Sequence, residues 1–330
     1  MMRLPPFVYE PARSIEHAVE LLARHGTEAM PVSGGTDLYA NMKQRLFTPR
    51  VVVGLRPIES LRFIEYDETL GLRVGALATL SDVANHAAVR AHYAALASAA
   101  HAVSTPQLRN MGTIGGNLCV DTRCNYYNQN LDWRKALGYC MKKDGDVCRV
   151  ALSSPRCVAV NSSDTAPVLI ALGATIHVAG KAGVREIPAA SFFHNDGMRA
   201  WALDHGDLVT RITIPAPQPH TRSAYAKLRL RNSFDFPILG VAAMLRTDDD
   251  GVCREARLVL NAVASKPLDV PAAAQALVGS RLGADALDAA AEAAYAMGKP
   301  LDNTSATIPY RKRMVRVFAR RALTAALGAA

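Results

Sequence analysis

Residues 105–117 read Thr105-Pro106-Gln107-Leu108-Arg109-Asn110-Met111-Gly112-Thr113-Ile114-Gly115-Gly116-Asn117, and residues 161–172 read Asn161-Ser162-Ser163-Asp164-Thr165-Ala166-Pro167-Val168-Leu169-Ile170-Ala171-Leu172. The first stretch is a glycine-rich loop. The second opens an apolar helix. Between them lie Cys124, Cys140, Cys148 and Cys157, four of the chain's six cysteines. A cofactor-type loop interrupted by a cysteine-bearing insertion points to two redox centres side by side, with the rest of the chain as their frame.

A second glycine loop lies upstream, Pro31-Val32-Ser33-Gly34-Gly35-Thr36-Asp37-Leu38. A strand running into Gly-Gly can expose backbone N–H groups, because glycine tolerates positive φ and has no side chain to block an anion. Neither loop is GxGxxG, and no P-loop lysine follows residues 112–117, so Rossmann and Walker readings do not apply. Either loop alone reads as a plain turn. Two in one chain, each with Thr, Asn or Asp beside it, weaken that reading.

The cysteines follow the pattern Cys124-x15-Cys140-x7-Cys148-x8-Cys157. This lacks the CxxC pairs of zinc ribbons and the close runs of bacterial ferredoxins. Spacing alone leaves a metal–sulfur centre, a structural Zn site and separate buried thiols all open. Arg123, Lys142, Lys143, Arg149 and Arg156 are near enough in sequence to offset a negative thiolate centre, and Tyr126, Tyr127, Trp133 and Tyr139 to shield it. Cys119 and Cys253 sit in apolar contexts and read as small core residues.

Around this centre the expected elements run in order. Ser14 caps a helix with Ile15, Ala18, Val19, Leu22 and Ala23 on one face and Gly26 as its stop. Short strands are expected at Ala29–Val32, Val51–Leu55 and Leu72–Ala76. Ser81 should cap a short helix, and a further helix should span Val89–Ser98. Beyond the insertion, Cys157–Val160 reads as a strand. Asp164 should cap the helix Ala166–Leu172, and Ala174–Val178 and Leu208–Ile214 read as strands. After a break at Pro215–His220, residues 223–231 alternate, with Tyr225, Lys227, Arg229 and Arg231 on one face. Ile238–Leu245 and Ala256–Val263 should join them in an antiparallel sheet. Helices near 270–278 and 284–296 precede a basic helix from Tyr310 to about Leu327, expected to be solvated or subunit-facing. The domain expectation is 1–56, 57–218 with an insertion at 118–158, and 219–330.

Composition sets outer bounds. The chain has 330 residues, half of them hydrophobic and a fifth charged, as in a globular protein with two or three cores. No apolar run reaches the ~18 residues of a membrane span. The N-terminal stretch lacks a signal-type apolar core, which makes the cytoplasm the expected compartment. There thiols stay reduced, so clustered cysteines read first as metal ligands. The formal charge of +9 suits an anionic cofactor or an acidic partner. No nucleic-acid-binding signature accompanies it. The nine histidines are scattered, and no nucleophile–base constellation stands out, so no catalytic residue is expected on this chain.

The combination resembles the FAD-binding subunits of the molybdenum hydroxylases, the xanthine dehydrogenase and carbon monoxide dehydrogenase superfamily, over nearly the whole chain. The resemblance is carried by Ser33–Leu38, Arg109–Asn117, Ser163–Pro167 and Tyr225-Ala226-Lys227. In most of that family the second loop runs almost directly into the Ser-Asp motif, whereas about 40 residues intervene here. The insertion resembles that of the β subunits of 4-hydroxybenzoyl-CoA reductases, where it carries a 4Fe–4S cluster. One departure is Asn161-Ser162, where relatives often have His and Pro.

The resemblance implies an α+β fold: two subdomains clasping FAD (the PCMH-type fold), then a C-terminal antiparallel sheet-and-helix domain. Pro31, Val32, Ser33, Gly34, Gly35, Thr36, Asp37 and Leu38 would cradle the pyrophosphate, and Thr113, Gly116 and Asn117 would complete the cradle. Asp164 would accept from cofactor hydroxyls, Leu208 would pack on the cofactor, and Lys227 would lie near the flavin. Cys124, Cys140, Cys148 and Cys157 would ligate the 4Fe–4S cluster. The implied partners are a large subunit with the molybdenum cofactor, a small subunit with two 2Fe–2S clusters, and ferredoxin as electron donor, in a dimer of heterotrimers. The implied reaction is reductive dehydroxylation of 4-hydroxybenzoyl-CoA to benzoyl-CoA on the large subunit, in anaerobic aromatic catabolism. The alternatives are the FAD subunit of another molybdenum hydroxylase, oxidising an aromatic or heterocyclic substrate, and a flavin module with a structural Zn loop.

Overall fold

Ser14 accepts a hydrogen bond from the His17 N–H at 3.1 Å and starts the helix Ile15–His25. That helix buries Ala18, Leu21 and Leu22, while Ala23 is exposed, so the inner face passes through Leu21 and not Ala23. It packs on a parallel sheet of β1 (Val8–Pro11), β2 (Ala29–Val32) and β3 (Val51–Gly54), in the order β1-β3-β2. The structure is a computed structural model that describes residues 3–328.

The second sheet is antiparallel: β4 (Ile64–Asp67), β5 (Gly71–Gly75), β6 (Thr175–Gly180), β7 (Gly183–Pro188) and β8 (Leu208–Ile214), in the order β4-β5-β8-β6-β7. Several sequence expectations shift here. Thr79, not Ser81, caps the helix Leu80–Asn85, through a reciprocal capping box with Asp82. The Ser81 hydroxyl instead donates to Asn110 Oδ1. The expected helix over 89–98 is two helices, Ala87–His92 and Ala94–Ala102, broken at Tyr93. Cys157–Val160 forms no strand: only Val160 pairs, with Arg123.

The third sheet holds β9 (Thr221–Leu228), β10 (Leu239–Thr247), β11 (Cys253–Asn261) and β12 (Leu268–Asp269), all antiparallel. β10 is buried on both faces, which explains its nearly unbroken apolar run. Ala242 and Met244 join the core of the second sheet, while Val241, Ala243 and Leu245 pack toward the C-terminal helices. Those helices are Pro271–Leu277, Ala284–Met297 and Ile308–Ala326. The last is basic but not simply solvated. Arg311 is fully buried and donates to the carbonyls of Leu301 and Ala262. Among the described residues no helix is long and apolar enough to cross a membrane.

Candidate functional site

β2 delivers the chain to a turn at Ser33–Asp37, which leads into the helix Leu38–Lys43. Val32 and Leu38 are buried and anchor the turn at both sides, while Pro31 and Thr36 are exposed. Gly35 has φ +70°, a region closed to most side chains. Among the described residues, no group accepts from the N–H of Ser33, Gly34, Gly35, Thr36 or Asp37. Five consecutive unbonded amides at a turn make an anion-binding concavity.

Gly34 is where the two glycine loops abut. A Cβ there would lie 1.9 Å from Met111 O. Ser33 Oγ and Thr113 Oγ1 are 3.0 Å apart, so the contact is also polar. Thr113 caps the short helix Ile114–Leu118 by accepting from Gly116 N–H. The amides of Ile114, Gly115 and Asn117 donate to Ala78, Ala76 and Thr113. The second loop therefore offers close approach and, among the described residues, one unbonded N–H, that of Thr113. Asn117 faces the other way: its Oδ1 accepts from Ser163 Oγ, Thr165 Oγ1 and Thr165 N–H at 2.8–3.2 Å. That bond set ties the second loop to the Ser-Asp motif.

Beside the contact of the loops lies a cleft of about 350 Å³, lined among others by Ser33, Gly34, Met111, Thr113, Arg56 and Arg62. Ser33 and Gly34 with unbonded amides, and Arg56 and Arg62 against the single carboxylate of Asp82, give the cleft a net positive lining that suits an anionic diphosphate, and the volume falls within the range of ligand pockets. The residues present fit the pyrophosphate-bearing part of FAD. Arg56 and Arg62 carried no motif and were not legible in the sequence.

Asp164 is buried and makes no cap bond. Ser163 Oγ caps the helix Thr165–Ala171 by accepting from Ala166 N–H. Asp164 instead accepts from Lys227 Nζ at 2.8 Å and from Tyr225 O–H at 2.6 Å. Lys227 also donates to Ala102 O at 3.0 Å. Burial pushes the Asp164 carboxyl up and the Lys227 ammonium down, and each partner's charge opposes that shift in the other. Burial likewise keeps the Tyr225 phenol protonated as a donor. The structure thus joins Asp164 and Lys227 into one closed pair. Leu208 packs with Leu77, which also lines the cleft, in the core between the first helix and the parallel sheet.

The four cysteines come together. Cys124, Cys140 and Cys157 share an apolar cluster with Leu46, Tyr127 and Ala159. Cys148 is also buried and close enough to Cys157 to disfavour its charge. Burial pushes the Cys124 thiol up to about 12 and Cys157 to about 11, so both are protonated when unligated. Lys142, which donates to Asp121 at 2.6 Å, is the cation that favours the Cys157 thiolate. Of the expected aromatic shield, Tyr127 is buried and Tyr126 partly so, while Trp133 is exposed. All six cysteines are free, and Cys253 is a core residue as expected.

Among the described residues no three His, Cys, Asp or Glu side chains converge to hold a metal ion. In an iron–sulfur cubane each cysteine holds a different iron, so four neighbouring thiols need not meet at a point. Four buried sulfurs with a cation at their edge have the donor chemistry of such a cluster. Sequence reasoning missed the clamps on this pocket. Arg134 is buried and donates to Gln44 O and Arg45 O, both at 3.1 Å. Asn303 donates to Val158 O at 2.6 Å. Neither carried a signal before the fold brought its partners near.

The chain matches the family described as the FAD binding domain in molybdopterin dehydrogenase over residues 5–217. Residues 223–326 match the CO dehydrogenase flavoprotein C-terminal domain. It is 34% identical to the aldehyde oxidoreductase FAD-binding subunit PaoB of Escherichia coli (strain K12), over 86% of this chain and 90% of that one. It is 27% identical to the nicotinate dehydrogenase FAD-subunit of Eubacterium barkeri, over 94% of this chain and 92% of that one. Among solved structures, a chain of carbon monoxide dehydrogenase from Hydrogenophaga pseudoflava superposes with a TM-score of 0.81 at 28% identity, with 99% of each chain covered. With these matches and a glycine-loop cleft suited to the diphosphate of FAD, the chain belongs to the FAD-binding medium subunits of the molybdenum hydroxylase family.

Proposed function

We propose that this chain is the FAD-carrying electron-transfer subunit of a molybdenum hydroxylase that oxidises an aldehyde, aromatic or heterocyclic substrate on a partner subunit. The observation that carries the flavin reading is the run of five unbonded amides at Ser33–Asp37, set against the second glycine loop. The relatives are named for aldehyde, nicotinate and carbon monoxide oxidation, which favours oxidation over reductive dehydroxylation. The partners in this reading are a large subunit with the molybdenum cofactor and a small subunit with two 2Fe–2S clusters.

Bound FAD supplies exchange between one- and two-electron carriers. The chain's own residues hold it. The Ser33–Asp37 amides meet the pyrophosphate, while Arg56 and Arg62 add positive charge to the cleft. The Asp164–Lys227–Tyr225 network fixes the seam between the flavin domain and the third sheet. Cys124, Cys140, Cys148 and Cys157 hold a 4Fe–4S cluster beside this site. The four buried cysteines, three of them in one cluster, also favour a second reading, in which the complex reduces 4-hydroxybenzoyl-CoA with electrons from ferredoxin.

The test is anaerobic purification of the chain with its partner subunits, followed by flavin, iron and acid-labile sulfide analysis. One FAD, with four iron and four sulfide beyond those of the small subunit, is the expected result. Oxidation of benzaldehyde or nicotinate with a dye acceptor supports the first reading. Turnover of 4-hydroxybenzoyl-CoA with reduced ferredoxin alone supports the second. Absence of flavin overturns both.

A further inference from the structure

We infer that the cysteine insertion clamps both ends of the helix that follows the first glycine loop, with Arg123 as the positioning residue, so that FAD binding and the ordering of residues 124–157 reinforce each other. This rests on the reading of Ser33–Asp37 as the pyrophosphate loop.

The neck of the insertion is closed by two backbone hydrogen bonds between Arg123 and Val160, both 2.9 Å. Arg123 immediately precedes Cys124, and its side chain reaches across to pair with Asp37. Both side chains are largely shielded, at 16% and 28% exposure, so solvent screens the pair less than a surface pair. Asn41 Nδ2 donates to Asp37 at 3.0 Å and holds its carboxylate in place. Phe236, from the loop after β9, covers the Arg123 guanidinium at 4.1 Å from its ring centroid. Asp37 stands at the start of the helix Leu38–Lys43, and its own N–H is one of the five unbonded amides.

The other end of that helix is held as well. Arg134, inside the insertion, bonds the carbonyls of Gln44 and Arg45 just past the helix terminus. Leu46, the next residue, packs among the cysteines. Leu38 and Met42 seat the short helix on Val32 and Val52 of the parallel sheet, and the insertion adds a hold at each end: one arginine at its start, another past its end, with the cysteine pocket at its exit. Any ligand that orders the first glycine loop favours the clamped insertion, and linkage makes the effect reciprocal.

The test is hydrogen exchange by mass spectrometry on the full chain, with and without saturating FAD, alongside FAD titration by fluorescence quenching. Wild type should show slowed exchange across residues 124–157 when FAD is added. Arg123→Gln should bind FAD about tenfold more weakly and lose that response, while Arg123→Lys regains part of it. Exchange in the third sheet, residues 221–269, reports whether each variant is folded. FAD uptake by wild type without protection of 124–157 overturns the inference alone, whatever the variants do. Protection that persists in a folded Arg123→Gln, Arg134→Met double variant overturns it too. A chain that takes up no FAD overturns the flavin reading and this inference together. Iron and sulfide are measured on the same samples, so loss of the cluster assignment is read separately.

Discussion

Asp164 and Lys227 lie 63 residues apart in sequence, on different domains, and 2.8 Å apart in space, with side chains only 3–4% exposed. The pair is a rivet between the flavin domain and the third sheet. Tyr225, two residues earlier on the same face of β9, adds a second bond to the same carboxylate. Removing one partner of such a pair leaves an uncompensated buried charge, which costs about 3–5 kcal/mol. Lys227→Met should therefore lower stability by roughly that amount, read by urea unfolding. The double variant Asp164→Leu, Lys227→Met should be more stable than Lys227→Met alone. A single variant with an unchanged unfolding midpoint would sink the assignment.

The glycine loops differ in how much room they leave. A Cβ at Gly34 would sit 1.9 Å from Met111 O, a rigid backbone atom. At Gly116 the nearest atoms are the hydroxyls of Thr113 and Ser33, at 3.1 and 3.2 Å. Gly34→Ala should therefore force the loops apart and cost at least tenfold in FAD affinity. Gly116→Ala should cost clearly less. Equal affinities for the two variants, by fluorescence titration, would show that the contact of the loops does not shape the site.

Gly197 plays the same part at the cysteine pocket. Its N–H donates to Cys157 O at 2.9 Å, and an added Cβ would lie 2.8 Å from Cys157 Sγ. Gly197→Ala should displace that sulfur, so that iron per chain falls by half or more on anaerobic purification. The flavin ratio should fall less. Full iron occupancy in Gly197→Ala would mean that Cys157 is not a ligand in its present position.

His177 should give the fold a pH dependence. Its side chain is 6% exposed, Nδ1 faces Arg211 Nη2 at 3.0 Å, and Nε2 faces Thr213 Oγ1 at 3.0 Å. Arginine only donates, so its contact with Nδ1 fits the neutral ring, with Nε2–H donating to Thr213, while the exposed Glu186 carboxylate, 3.3 Å from Nδ1, favours the protonated ring. Burial, and then the Arg211 charge, lower its pKa, with Glu186 opposing. A depressed histidine contributes its stability fully above its unfolded pKa of about 6.5, and that stability is lost as pH falls toward the folded value. Thermal unfolding should thus show a steeper loss of midpoint between pH 7 and 5 for wild type than for His177→Gln. Parallel curves would count against this linkage.

Local patterns carried much of the frame. Ser14 and Gly26 bounded the first helix because a cap and a stop act within one turn. β8 runs over Leu208–Ile214 as its β-branched run and the following prolines suggest. Failures cluster where a neighbour far along the chain competes. Ser81 looked like a cap, but it lies inside the helix, and Thr79, two residues earlier, has Asp82 to complete the box. Cys157–Val160 looked like a strand, but its carbonyls are taken by Gly197, Ser265, Asn303 and Arg123. Asp164 looked like a cap, but a lysine and a tyrosine from another domain claim its oxygens.

The sequence by itself determined the two glycine loops, the cysteine quartet and the family they belong to, because those signals depend on residue type and spacing within short stretches. Only the tertiary structure decided that the first loop keeps five consecutive amides free while the second spends those of Gly115 and Ile114 on Ala76 and Ala78. It alone decided that Arg123, beside a cysteine, answers to Asp37 at the end of the first glycine loop, at a separation of 86 residues. The physical reason is that hydrogen bonds and ion pairs require their partners within a few ångströms, and no local pattern of residues records which distant group will arrive there.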